Sequence, residues 1–136
     1  MATRKTEPKD PDQLKAAAYF RQIKKRMESL DLYKKEYEPT MRRTASLYVL
    51  VDNLDEQFAR SGGNAVITYT NKAGAKNPAK NPILVARDDA YTQLLAHERE
   101  LGLTPAALKK LNEAAMKKNT MSTLESALIK LERGAG

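Results

Sequence analysis

The chain predicts a mainly α fold: a long antiparallel helical hairpin with a short β-hairpin insert, flanked by an N-terminal basic helix and short C-terminal helices. Three observations lead there. Apolar residues recur at helical spacing through most of the chain. The breaks between these runs carry Asp-Pro, Asn-Pro and Gly-rich signals. Only one stretch, Val66–Thr70, is dense in β-branched and aromatic residues.

Residues 1–9 are polar and aperiodic, which predicts a disordered arm. Asp10 caps the first helix, with Pro11 in its first position and Gln13 placed to complete a capping box. Ala16, Phe20, Ile23, Met27 and Leu30 form its apolar stripe, while Arg21 and Lys25 point away and Lys24 and Arg26 flank it. The connector "DLYKKEYE" reads as polar, leaving Tyr33 and Tyr37 free for other work, whereas the other tyrosines of helical stripes are expected in the core. Pro39 starts a second helix that "SGGN" stops after about Arg60. Its block "LYVLV", Leu47–Val51, is apolar nearly all round, so more than one of its faces has to be covered.

The turn Asn71–Gly74 makes Val66–Thr70 half of a hairpin, and Asn81–Pro82 caps a third helix reaching Leu101. Gly102 then ends one helix, and Thr104 and Pro105 start the next. That helix is expected to run to about Lys118, where "NTM" breaks it, before a Ser122–Glu125 capping box opens a final helix bearing Met121, Leu124, Leu128 and Leu131. The predicted organisation is a disordered arm at 1–9, one helical domain at 10–118, and a tail helix at 119–136.

Composition excludes whole classes of function. The chain has 136 residues, enough for one domain, and no cysteine, which removes thiolate chemistry and sulfur metal sites. Met1 is followed by polar residues without a secretory leader, and no apolar run approaches the roughly 18 residues that suggest a membrane span. A cytosolic protein without membrane contact is expected. No Gly-x-x-x-x-Gly-Lys-Ser/Thr loop is present, Asp88 and Asp89 point in different directions on one helix, and the one histidine, His97, has no nucleophile nearby in sequence. Neither catalysis, nor a cofactor, nor a metal is expected.

The net charge is +7, and its excess lies in the first two thirds of the chain, which favours a polyanionic partner. The candidates for DNA contact are Arg21, Lys24, Lys25, Arg26, Lys34, Lys35, Arg42 and Arg43, with Lys109 and Lys110 as second choice. The bland alternative is a solvated helix face that only maintains solubility. The stretch "LGLTPAALKK" could be the turn of a helix-turn-helix, but its second helix opens with Pro105, Ala106, Ala107 and Leu108, which pack rather than read base edges. Leu108 and Leu111 are therefore expected to dock on the hairpin, with Lys109 and Lys110 outward.

The order of long helix, Gly-bounded hairpin, "NP" at Asn81–Pro82 and "LGLTP" at Leu101–Pro105 resembles the small terminase subunit of tailed double-stranded DNA phages, in the P-twenty-seven-type family, over roughly Pro39–Leu111. Such proteins often carry an arginine three residues after the proline, where this chain has Leu108. The resemblance implies a non-enzymatic, ring-forming homo-oligomer in the host cytoplasm. It would bind double-stranded viral DNA and recruit and regulate the terminase large subunit, which holds the ATPase and nuclease. On this reading Leu47, Tyr48, Leu50, Val51, Leu54, Phe58, Leu84, Tyr91, Leu94 and Leu95 are candidates for burial between subunits, and Leu124, Leu128 and Leu131 for closing the ring or docking on the large subunit. Two other readings remain from the residues themselves: a small dimeric helix-turn-helix DNA-binding regulator, and a structural adaptor whose charge is incidental.

Overall fold

The computed structural model describes residues 10–134. Four α-helices and one β-hairpin follow in the order α1 (Pro11–Ser29), α2 (Glu38–Arg60), β1 (Val66–Thr70), β2 (Lys76–Lys80), α3 (Pro82–Glu100) and α4 (Pro105–Gly134). A single 3-10 turn, Lys35–Tyr37, leads into α2. The predicted fold class holds in its main parts, the helical hairpin α2–α3 and its β insert.

The body is three helices side by side. Asp12 meets Asn53 and Tyr19 meets Asp52, while Met27 shares a cluster with Met41, so α1 runs antiparallel to α2. Arg87 meets Asp55 and Tyr48 meets Glu98, so α3 also runs antiparallel to α2. The helix in the middle therefore has neighbours on two sides, which accounts for most of the apolar block in "LYVLV": Val49 and Val51 are buried and Leu47 and Tyr48 half-buried. Only Leu50 is left exposed.

Two clusters form the core. Ile23, Met27, Met41, Ala45 and Leu101 make the larger, at the end where α1 stops and α2 starts, and Val51, Leu54 and Ala90 make the smaller. The larger cluster is closed by the chain ends of the helices themselves. After α1, Asp31 takes a left-handed φ of 58° and the Leu32 amide reaches back to the Met27 carbonyl at 2.8 Å. After α3, Gly102 does the same at φ 74°, and the Leu103 amide bonds the Glu98 carbonyl at 2.9 Å. Both are Schellman endings, in which the residue after the left-handed one turns inward. Leu32 and Leu103 accordingly pack on the core.

The connector is thus less polar in effect than its composition suggested. Tyr33, expected to be free, packs on the same core and donates its hydroxyl to Glu38 Oε1 at 2.7 Å; Tyr37 is exposed as expected.

At the hairpin, β1 and β2 pair antiparallel from Val66 opposite Lys80 to Thr70 opposite Lys76. Asn71 Oδ1 accepts from the amides of Ala73 and Ala75, and Gly74 supplies the positive φ of 81° that closes the turn. Buried Asn81 explains the "NP" signal. Its side chain caps α3 by accepting from the Ile83 amide at 3.0 Å and donates to the Asn64 carbonyl at 3.0 Å, tying the hairpin's two stems together.

Three local expectations are corrected. The predicted capping box of α1 is a simpler cap, with Asp10 Oδ1 accepting from the Asp12 amide at 3.2 Å. The predicted break at "NTM" does not occur, and α4 is one continuous helix of 30 residues. Ser122 is consequently no cap: its carbonyl accepts from Ser126 Oγ in the helix interior, and Thr123 Oγ1 bonds the Asn119 carbonyl in the same way. Asn, Thr and Ser lower helix propensity by only a few tenths of a kcal/mol each, too little to interrupt helix-forming residues on both sides.

Candidate nucleic-acid interface

The helices α1 and α3 flank α2 without closing over one of its faces, the one carrying Arg42, Ser46 and Leu50. A groove between α1 and α2 is lined by Gln13, Phe20, Arg21, Arg42 and Ser46. A second, of about 440 Å³, lies between α2 and α3 and is lined by Arg42, Arg43, Ser46, Leu47, Leu50, Gln93 and His97. Arg42 stands on the ridge between them.

This geometry sorts the basic candidates. Arg42 lies over the Phe20 ring at 5.6 Å and pairs with Glu38 at 3.3 Å, while Lys24 lies over the Tyr33 ring at 4.8 Å. The two cations converge on Glu38 from different helices. The hydrogen bond from Tyr33 chiefly holds the Glu38 carboxyl below its ordinary value, with Arg42, Lys24 and Lys35 adding to it and partial burial opposing. Glu38 pairs directly with Arg42 alone, and Arg21 and Arg43 at the groove edges remain outside any ion pair among the described residues. An anion with several phosphates fits such a row.

Arg26 belongs elsewhere. It lies on the opposite flank of α1 near Tyr48, whose hydroxyl is bonded to Glu98 and whose ring stacks on Tyr19 at 5.0 Å. Burial, and then the Glu98 hydrogen bond, pushes the Tyr48 hydroxyl up to about 12. Tyr19 and Tyr48 thus pack against the core as expected, whereas Tyr91, expected there too, is exposed. Lys25 is exposed on the outer side of α1, Lys34 and Lys35 are exposed in the connector, and Lys109 and Lys110 are exposed on α4. Glu38 is the member that composition alone missed: its i,i+4 spacing signals Arg42, but nothing in it signals Lys24 of α1.

The residues named for burial between subunits also divide. Val51, Leu54, Leu84 and Leu94 are buried inside the chain, because α2 and α3 cover each other. Tyr48 and Phe58 are half-buried, Tyr48 against the core and Phe58 under the Arg87 guanidinium at 5.6 Å. Leu50, Tyr91 and Leu95 are exposed, and Leu47 lines the groove.

The corner after α3 is a packing corner. Gly102 is buried, and a Cβ there would come within 2.7 Å of Leu111 Cδ1 and 3.0 Å of Leu32 Cδ1. Thr104 Oγ1 caps α4 by accepting from the Ala107 amide at 3.3 Å, and Ala107 and Leu108 are half-buried. The start of α4 is therefore turned toward the body.

Comparison with protein families decides the assignment. The family model described as phage terminase, small subunit, matches residues 16–118. The chain belongs to that family. The match spans α1, the helical hairpin with its β insert and the first part of α4, so it includes the N-terminal basic helix that lay outside the resemblance read from Pro39–Leu111. No curated protein and no solved structure matches the chain. Membership of this family places the protein in phage DNA packaging, a process of the infected host cell, and small terminase subunits are typically non-catalytic. Among the described residues no helix is long and apolar enough to cross a membrane.

Proposed function

We propose that this small terminase subunit assembles as a ring, binds double-stranded viral DNA through the Arg42 face, and recruits the large-subunit motor to it. The observation that carries the reading is the row Arg21, Arg42 and Arg43, gathered from two helices onto one open face within the region matched to the family. Phosphate contacts from such a row are salt-sensitive and weakly selective for sequence, and repeating them around a closed oligomer raises avidity without strong contacts per subunit.

Leu50, Leu47, Val85, Tyr91 and Leu95 are apolar groups of α2 and α3 left for a neighbouring subunit, and closed symmetry would bury them repeatedly. Leu124, Leu128 and Leu131 line the distal half of α4, all exposed, and support docking on a neighbour or on the large subunit. The protein itself needs no cofactor in this scheme; ATP hydrolysis and DNA cleavage belong to the motor.

The test is native mass spectrometry without DNA, followed by duplex binding of the wild type and an Arg42→Ser/Arg43→Ser variant. A single closed oligomer above a dimer, with DNA affinity that drops in the variant, supports the reading. A dimer or a monomer would overturn the ring, and unchanged duplex affinity in the variant would overturn the Arg42 face. Deleting residues 119–136 separates the roles of α4: loss of large-subunit ATPase stimulation with assembly intact supports motor docking, and loss of assembly removes it.

A further inference from the structure

The β-hairpin is the largest feature that the proposed DNA face leaves unused. It stands away from the helices: of Val66–Lys80, every residue is exposed except Asn71 and Ala79. Large groups that would ordinarily be covered, Val66, Ile67 and Tyr69, remain open to solvent. Such a two-stranded unit has no packing of its own. It is held only at its base, by Asn81 and by the Lys80–Asp88 pair at 2.5 Å.

Its charge is one-sided. The segment 61–81 contains Lys72, Lys76 and Lys80 and no acidic residue. Asp88 occupies Lys80, whereas Lys72 at the turn and Lys76 at the end of β2 have no ion-pair partner among the described residues. These tip cations lie at the end of the body opposite the larger core cluster, because α2 leads away from Met41 to Arg60 and into the hairpin. With a rise of 1.5 Å per residue, the 23 residues of α2 separate the two ends by about 34 Å.

At β2 another strand is a poor occupant: Pro78 offers no amide there and lysines sit at both ends of the strand, the devices by which edges resist strand addition. The β1 edge carries neither device, and pairing between copies there is the competing occupant that native mass tests. A polyanion matches both the charge and the shape, since a two-stranded ribbon is narrow enough for the roughly 12 Å major groove of duplex DNA.

We infer that the Val66–Lys80 hairpin is a second duplex-DNA contact, with Lys72 and Lys76 binding phosphates at a distance from the Arg42 face. This rests on the proposed function, in that it requires a DNA-binding protein, but it assigns an element that the Arg42 face does not use.

The experiment measures binding of the full chain to a mixed-sequence duplex by fluorescence anisotropy across a salt series. The wild type is compared with Lys72→Ser/Lys76→Ser, with Lys72→Arg/Lys76→Arg and with the Arg42→Ser/Arg43→Ser variant; helix content and native mass are checked for each. The serine pair is expected to make the plot of log K against log salt shallower by about 2, close to one unit per lost phosphate contact, and the arginine pair to restore it. Wild-type affinity and slope in the serine pair, alongside loss in the Arg42/Arg43 variant, would overturn this inference and leave the proposed function standing. A changed native mass with an unchanged slope would overturn it in favour of contact between copies. Absence of duplex binding by the wild type would overturn both.

Discussion

Helix α2 buries Met41, Thr44, Ala45, Val49, Val51 and Leu54, whereas α4, the longer at 30 residues, buries none of its own. The contrast does not come from a lack of apolar residues in α4: Met116, Met121, Leu124, Leu128, Ile129 and Leu131 are all there, and all are exposed. It comes from neighbours. Two helices lie against α2, while α4 touches the body only at its first turns, through Leu108 and the Leu111 contact over Gly102. A helical stripe says which face is available for burial, and the rest of the assembly decides whether it is used. Most helical stability in proteins comes from packing of that face rather than from propensity. The exposed half of α4 is thus the region whose stability depends most on a partner, and α2 the one that depends on it least.

The largest effect that would sharpen this contrast is expected at Met41, which is fully buried in the principal cluster. Met41→Ala should cost about 2–5 kcal/mol, measured by urea denaturation of the assembled protein. A loss below about 1 kcal/mol would mean that the three-helix body is much looser than its burial indicates.

Gly102→Ala comes next, at the joint between the two regions. It forces a side chain into φ 74° and places a Cβ 2.7 Å from Leu111, so a cost on the order of 1–3 kcal/mol is expected. Hydrogen exchange should show the loss concentrated in α4; uniform loss through α2 would contradict the view of α4 as a separately held arm.

Asn81→Ala removes both the α3 cap and the tie to Asn64, which should cost roughly 1–2 kcal/mol and speed exchange in the hairpin stems.

A smaller, pH-dependent effect is expected from Tyr48. Its hydroxyl is raised above 10.0 to about 12 in the folded protein, so the unfolded chain loses this proton first. The corresponding stability is present in full below pH 10.0 and disappears as pH rises toward 12. A Tyr48→Phe variant should lose less stability than the wild type across that interval, and identical alkaline curves would show that neither burial nor the Glu98 bond raises this hydroxyl.

The smallest effect per residue on an isolated subunit is expected from Leu124→Ser/Leu128→Ser/Leu131→Ser, within about 0.5 kcal/mol for each substitution, because these side chains are exposed. A large loss in the assembled protein, but not in a dissociated one, would identify α4 as a subunit contact.

Much of this architecture is legible in the chain before any packing is known. Pro11, Pro39, Pro82 and Pro105 each stand within the first two residues of a helix, where a missing amide costs nothing, and Asn81 and Gly102 mark boundaries for reasons of hydrogen bonding and φ. The break expected at "NTM" failed because weak local preferences are overridden by helix-forming residues on either side. In the candidate interface, the cations themselves were legible, but their sorting was not. Arg26 turned to the Tyr48 flank and Lys24 to the Tyr33 ring, according to which neighbouring helix each side of α1 meets.

Local chemistry, carried by residues a few positions apart, was enough to set the helices, their caps, the hairpin turn and the positive charge. Only the tertiary structure could decide that α2 lies in the middle and hides most of its apolar block, that Glu38 gathers cations from two helices, and that the hairpin and α4 stand uncovered. Those outcomes depend on distances between segments remote in sequence, and burial, ion pairing and exposure are properties of neighbours that a linear pattern does not contain.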